Sequence, residues 1–191
     1  MKIIITAVKE REVFVDYLVR NLPKPVVLYD NDDSGRLSNH RCKANFLRAL
    51  KETDGEKAII MQDDIMLCRD FFYKAVTEIN RRPDTLIQFF SMRKGDLEIG
   101  SRWDNNFLMN QCIYLPRGYG QKIIEFEKTR DSDAIDYGAD DILVREFLKS
   151  RKEKYWIHVP SLVQHRVAKS VIDPRRSSKR QSMTFVDPIE D

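Results

Sequence analysis

The chain has 191 residues, 42% of them hydrophobic and 33% charged, with a net charge of +3 from 33 basic and 30 acidic side chains. That length and composition suit one soluble domain with its own core and argue against a disordered or membrane-embedded chain. The near balance of charge names no partner, and three cysteines without a CxxC spacing argue against a disulfide framework or a zinc site, so a cytoplasmic setting is expected.

Residues 2–8 are rich in β-branched side chains and predict a first strand, too short to serve as a signal peptide. Val13, Phe14, Tyr17, Leu18 and Leu22 recur at helical spacing, and Pro23 and Pro25 close that helix. Val26–Tyr29 predicts a second strand, ending in the polar turn Asp30-Asn31-Asp32-Asp33-Ser34-Gly35. Ser38 is the expected N-cap of a helix running to about Leu50, which Asp54-Gly55 breaks. Residues 57–62 predict a third strand. Phe71, Phe72, Ala75, Val76 and Ile79 mark a helix face stopped near Pro83, and 85–91 predicts another strand.

The second half is less regular. Residues 95–106 read as a polar loop, 111–115 as a strand, and Pro116-Arg117-Gly118 as a turn into a helix at 120–128. An Asp-rich loop follows at 130–138. A helix carrying Ile142, Val144, Phe147 and Leu148 begins at Asp140 or Asp141, and 156–159 is a short strand. Residues 166–191 are polar and basic with little periodicity. The expected organisation is one domain over 1–170 and a basic tail or lid over 171–191. No run approaches the length of a membrane span.

Strands alternating with helices predict an α/β fold with a mostly parallel sheet flanked by helices, whose ligands bind at the carboxyl ends of the strands. Asp63 and Asp64 fall at such an end, where adjacent carboxylates are costly to bury unless paired or bound to a metal. They suit a hard divalent cation, or else a helix cap with a solvated neighbour. Asp30 and Asp32 lie on one side of the second strand end and can accept hydrogen bonds from a base N–H or ribose hydroxyls; an ordinary Asp-rich turn has the same composition. Arg41 and Asn45, one helical turn apart, are candidates to reach a base or diphosphate.

Asp140 and Asp141 start a later helix, where carboxylates either cap free N–H groups or act as a general base. His165 follows a short apolar segment and is a candidate metal ligand. The region after it carries Arg166, Lys169, Arg175, Arg176, Lys179 and Arg180. Such a cluster is a solvated tail, a clamp on a leaving diphosphate, or a surface for an anionic acceptor.

The order of these groups resembles that of the GT-A (Rossmann-like) glycosyltransferases. Gln62-Asp63-Asp64 looks like their DxD motif, Ala139-Asp140-Asp141 like their xED motif, and Val163-Gln164-His165 like their late His. The likeness extends to small phage and bacterial enzymes and to lipopolysaccharide-type transferases, over about residues 1–170. It implies Mn²⁺ or Mg²⁺ held by Asp64 and His165, with Asp63 near the ribose or a metal-bound water. Thr6, Ala7, Asp30, Asp32, Arg41 and Asn45 would join Asp63 in holding the donor, a UDP-linked sugar, and Arg166 or Lys169 would neutralise its diphosphate. Asp141 would be the base of an inverting displacement, with Asp140 its rival. Gln62 stands where an acid is usual, so the ribose and metal roles are open to redistribution.

The resemblance implies work in a bacterial or phage-infected host cytoplasm. The acceptor expected is a hydroxymethylated DNA base, suggested by the basic carboxyl-terminal region, or alternatively a saccharide such as lipopolysaccharide. Two other readings stand beside these. A nucleotidyltransferase would want a Gly-rich phosphate loop, which Thr6–Arg11 lacks. A non-enzymatic nucleic-acid-binding module would use the acid pairs as caps.

Overall fold

The computed structural model describes residues 1–30, 38–130, 139–167 and 180–190, with the backbone alone for residues 38 and 39. The expectations for Asp32, the remainder of its acidic turn, the 131–138 loop, Lys169 and residues 171–179 lie outside these residues.

The first half alternates as its hydrophobic pattern predicts: β1 (Lys2–Ala7), α1 (Glu12–Asn21), β2 (Val26–Tyr29), α2 (Ser38–Glu52) and β3 (Ala58–Gln62). A short β4 (Ile65–Leu67) follows, then α3 (Phe71–Arg81) and β5 (Ile87–Gln88). The second half holds α4 (Asp96–Ile99), β6 (Arg102–Asp104), β7 (Cys112–Leu115), α5 (Tyr119–Glu127), α6 (Asp140–Ser150), β8 (Tyr155–Ile157) and β9 (Val163–His165). Seven strands form one sheet in the order β2-β1-β3-β7-β5-β8-β6, and β4 and β9 form a separate two-stranded ribbon.

The sheet is mixed, with five of its seven strands running in one direction and β7 and β6 reversed. β1 pairs in parallel with β2 and β3, and β5 with β8, whereas β7 runs antiparallel to both β3 and β5 and β6 antiparallel to β8. β1 is bonded on both edges and covered on both faces, which is why its sequence is a nearly unbroken apolar run. Strand alternation divides the core in two. Ile3, Ile5, Ile59 and Met61 pack with Val15 and Leu18 of α1 and Ala75 and Ile79 of α3. Ile4, Ala58 and Ile60 pack on the other face with Phe46, Leu50, Ile123, Val144 and Phe147 of α2, α5 and α6.

Residues 95–106, expected as a polar loop, instead supply α4 and the edge strand β6. Their charges are satisfied by one another: Arg102 pairs with Asp96 at 2.8 Å and Arg93 with Asp104. Trp103 meets Trp156 of β8 edge to face at 5.5 Å. Side-chain pairing thus hides a strand behind a polar composition.

Within the expected tail or lid from residue 171, residues 182–189 are packed onto the domain. Ser182 and Thr184 are buried, and Phe185 and Ile189 pack against the α1–α3 side of the core. Ile189 N–H donates to Leu67 O at 2.8 Å and Arg69 N–H to Asp187 O at 2.7 Å, so this segment is bonded to β4 and the residues after it. Tyr17 ties the same elements together: its hydroxyl accepts Leu67 N–H at 3.0 Å and donates to Ile189 O at 3.2 Å. Tyr17→Phe would strand a buried N–H and release Ile189. We expect a loss of about 1–3 kcal/mol in urea unfolding, with faster proteolysis near the carboxyl terminus. An unchanged midpoint would contradict that role.

Candidate active site

Alternation along β3 decides where its last side chains go. Gln62 continues the face of Ala58 and Ile60, toward α6. Asp63 continues the face of Ile59 and Met61, toward α1. Both Asp63 and Asp64 are buried, at 3% and 5% exposure, so each needs a partner. Arg11, in the 3-10 turn Lys9–Arg11 between β1 and α1, supplies one to both. Its Nη1 lies 2.9 Å from Asp63 Oδ1 and 2.7 Å from Asp64 Oδ2. Val8 N–H donates to the other Asp63 oxygen at 2.8 Å.

Burial, and then the charge of Asp64, push Asp63 up to about 6, against the opposing pull of Arg11 and Val8. Burial acts on Asp64 in the same sense, but His165 and Arg11 outweigh it and hold that carboxyl below its ordinary range.

His165 reaches Asp64 through the ribbon. β4 follows the acid pair at once, and its antiparallel register sets Ile65 opposite His165. Arg166 N–H donates to Asp64 O at 2.8 Å, which closes the ribbon at that end. His165 Nε2 then stands 3.4 Å from Asp64 Oδ2, although the residues are a hundred positions apart. The tautomer follows from the second nitrogen. Nδ1 lies 2.7 Å from Arg166 O, and a carbonyl only accepts, so Nδ1 carries a proton. A neutral ring therefore turns the Nε2 lone pair on the carboxylate, and only the imidazolium donates to it. Nε2 and Asp64 Oδ1 are both buried without a hydrogen-bond partner.

One carboxylate oxygen and one imidazole nitrogen at this separation suit two donors of a single divalent cation. Among the described residues no group of three or more His, Cys, Asp or Glu is arranged to hold a metal ion. A cation here would therefore have two protein donors and open positions for phosphate oxygens and water.

The second acid pair is split by its surroundings. Asp140 is buried at the start of α6 and accepts hydrogen bonds from Asn110 Nδ2 at 3.1 Å and Gln62 Nε2 at 3.4 Å. Burial, then the neighbouring Asp141 charge, raise its pKa. The Cys42 thiol also bonds to it; burial, then Asp140, push that thiol far up, so it stays protonated. Cys42 feels Asp140, Asp141 and Asp64 together, which sets the two acid pairs around one region. Asp141 is half-buried, with Oδ1 accepting Ile142 N–H at 3.0 Å. Asn110 and Gln111, just before β7, each hold a buried side-chain oxygen without a partner.

Other expected donor residues have local duties. Asn45 Nδ2 donates to Leu28 O at 3.0 Å and lies 3.5 Å from Ala7 O, so it ties the ends of β1 and β2 rather than reaching out to a donor. Thr6 Oγ1 donates to Met61 O at 3.2 Å, and Ala7 O accepts Asp30 N–H at 2.7 Å. Arg41 pairs with Asp30 at 2.9 Å, at the rim where β2 ends.

Arg166, expected on the diphosphate, is buried. Its guanidinium lies over Phe14 and Tyr17 at 4.6 and 4.7 Å, and Nε donates to Ile65 O at 3.2 Å. It fastens the ribbon to α1. Sequence reasoning missed Arg11, Gln62, Asn110 and Cys42 as partners. The one available signal was a basic residue just past the first strand, at the ligand edge of the sheet.

No family model and no curated protein matches the chain. Among solved structures, the crystal structure of A197 from STIV is similar over 100% of this chain and 99% of that one, at 18% identity and a TM-score of 0.50. That likeness concerns the fold, an α/β architecture built on a mixed sheet. Among the described residues no helix is long and apolar enough to cross a membrane.

Arg11→Met would leave two buried carboxylates short of their shared cation. Its expected cost in denaturant unfolding is about 3–5 kcal/mol, whereas a surface ion pair would lose almost nothing. Asp63 makes stability pH-dependent. Its folded pKa lies above the unfolded value of about 3.9, so the folded state binds the proton more tightly. The resulting stability is fully present below the unfolded value and is lost as pH rises through about 6. Between those limits the melting temperature of the wild type should fall relative to Asp63→Asn. Parallel curves would contradict the assignment.

Proposed function

We propose that the chain is a metal-dependent glycosyltransferase, moving a sugar from a nucleoside-diphosphate donor, of UDP type, to an acceptor hydroxyl. The observation that carries the reading is the Asp64–His165 pair. An imidazole lone pair and a carboxylate oxygen face each other at 3.4 Å, with a second carboxylate oxygen buried and unpartnered. With a neutral ring these are two electron-rich groups, which only a proton on Nε2 or a bound cation can join. Mn²⁺ or Mg²⁺ suits that donor set and would supply charge neutralisation on the departing diphosphate.

The remaining roles follow from the residues. Asp63, held by Val8 N–H and Arg11, lies at the mouth between β1 and β3, where a ribose would rest. Asp30 and Arg41 flank the neighbouring strand end on the side of the base. Asp140 is anchored by Gln62, Asn110 and Cys42, so it acts as a fixed wall of the donor pocket. Asp141 is more accessible, so an acceptor can reach it. It would take the acceptor hydroxyl proton as the oxygen attacks the sugar carbon, and the bond to the diphosphate would break with its electron pair on the leaving oxygen. Attack from the face opposite the leaving group inverts the anomeric centre.

The test is a panel of nucleotide sugars with Mn²⁺, reading released nucleoside diphosphate with and without acceptors. Asp64→Asn should lower release at least a hundredfold. Asp141→Asn should lower transfer by a similar factor while leaving donor binding intact. Absence of release from every donor, or an unimpaired Asp64→Asn, would sink the reading.

A further inference from the structure

We infer that one flank of α6 is a track for the phosphodiester backbone of a DNA acceptor; this rests on the glycosyl-transfer reading and gives its acceptor a surface. Asp141, Arg145, Lys149 and Lys152 follow one another at intervals of four, four and three residues. Helical geometry lines Asp141, Arg145 and Lys149 along one side of α6, and Lys152 lies in the turn just past its end at Ser150. With Lys154 just beyond, four cations run from the candidate base toward the opposite end of the sheet. Among the described residues no carboxylate pairs with any of the four. The Nε of Arg145, nearest to Asp141, is buried without a hydrogen-bond partner.

The other flank of the same helix is neutralised, since Glu146 pairs with Arg130 at 2.7 Å. Like charges one turn apart destabilise a helix, and salt bridges elsewhere in this fold relieve such strain, as Glu125–Lys128 does on α5. On this flank Arg145 and Lys149, one turn apart, have no carboxylate bound to them among the described residues and present their charge to an anionic ligand.

The track ends in an open cleft of about 400 Å³ lined by Asn105, Asn106, Lys149, Lys152 and Lys154. The one acid there, Glu153, is already taken by Arg151 at 2.6 Å and by the hydroxyl of Tyr119. Amide and ammonium donors without acceptors match phosphate oxygens. From Asp141 to Lys149 the helix rises about 12 Å, or roughly three to four base pairs of duplex at about 3.4 Å each, and Lys152 and Lys154 extend the row past its end. A cationic row of that length matches a repeating phosphate backbone. It carries no exposed apolar side chains, which a membrane-binding helix would need. A phosphate backbone laid along it would bring a nucleoside at its end beside Asp141 and the donor pocket.

The test uses the whole chain and a fluorescein-labelled 20-base-pair DNA duplex, read by anisotropy from 50 to 200 mM KCl without donor or metal. Lys149→Gln with Lys152→Gln should weaken binding at least tenfold at 100 mM. It should also flatten the plot of log affinity against log salt by about 2, the slope carried by two phosphate contacts. Lys24→Gln with Lys74→Gln, which removes the same charge elsewhere, should leave both quantities near wild type. Equal losses from the two doubles would reduce the effect to net charge and overturn the track. So would wild-type binding to phosphatidylserine-containing vesicles but not to DNA. Diphosphate release is measured separately on the wild type. Its absence beside intact DNA binding would remove glycosyl transfer and leave the DNA surface standing, whereas release without DNA binding would do the reverse.

Discussion

Two adjacent carboxylates at the end of a central strand are costly to bury, and the surrounding elements are arranged around that cost. Taking even one ion out of water costs several kcal/mol unless a partner of good geometry replaces the lost hydration. Here a single guanidinium nitrogen serves both acids. It can do so only because β1 ends in a tight 3-10 turn that sets Arg11 over the end of β3. The helix that follows is fastened to the other side of the same site. Its Phe14 and Tyr17 receive the Arg166 guanidinium, and Tyr17 accepts a main-chain N–H of β4. The 3-10 turn and α1 thus hold, respectively, the counter-ion of the acid pair and the ribbon that delivers His165.

Strand alternation extends this arrangement across the sheet. Gln62 and Asp63 are neighbours in sequence, but their side chains leave opposite faces. One turns to Arg11 and the other to Asp140. β7, antiparallel between β3 and β5, places Asn110 beside Gln62, so a second donor reaches Asp140. The candidate metal donors and the second acid pair are therefore linked through one strand end. A shift of one residue in the register of β3 would exchange their partners.

Charge is distributed with the same economy. The polar stretch between β5 and β7 is laced by Arg93, Arg102, Asp96 and Asp104, and builds an edge strand from residues that look like loop. Glu127 is matched by Lys43 and Arg130, and Glu146 by Arg130. Against that background, the unpaired flank of α6 and the unpartnered lone pairs of Asp64 and His165 stand out. Each is a place where the fold satisfies less than it does elsewhere, which is what a ligand site requires.

The sequence by itself determined the alternation of strands and helices from β1 through β3, the helix faces of α1 and α3, the extent of α2, and the position of Asp63-Asp64 at the carboxyl end of β3. These are local properties: apolar period, turn residues and breakers act over a few positions. It also marked Asp140-Asp141 and His165 as groups of interest, since charged or ligating residues beside apolar segments are conspicuous wherever they fold. Only the tertiary structure decided that β7 runs antiparallel, that β6 is a strand, and that residues 182–189 fold back onto the domain. It alone set His165 against Asp64, gave Arg11 to the acid pair and laid Arg166 over Phe14 and Tyr17. It also turned Asn45 to strand-end carbonyls. Those outcomes depend on pairing partners far apart in the chain and on the need of each buried charge for a counter-charge, and no local pattern encodes either.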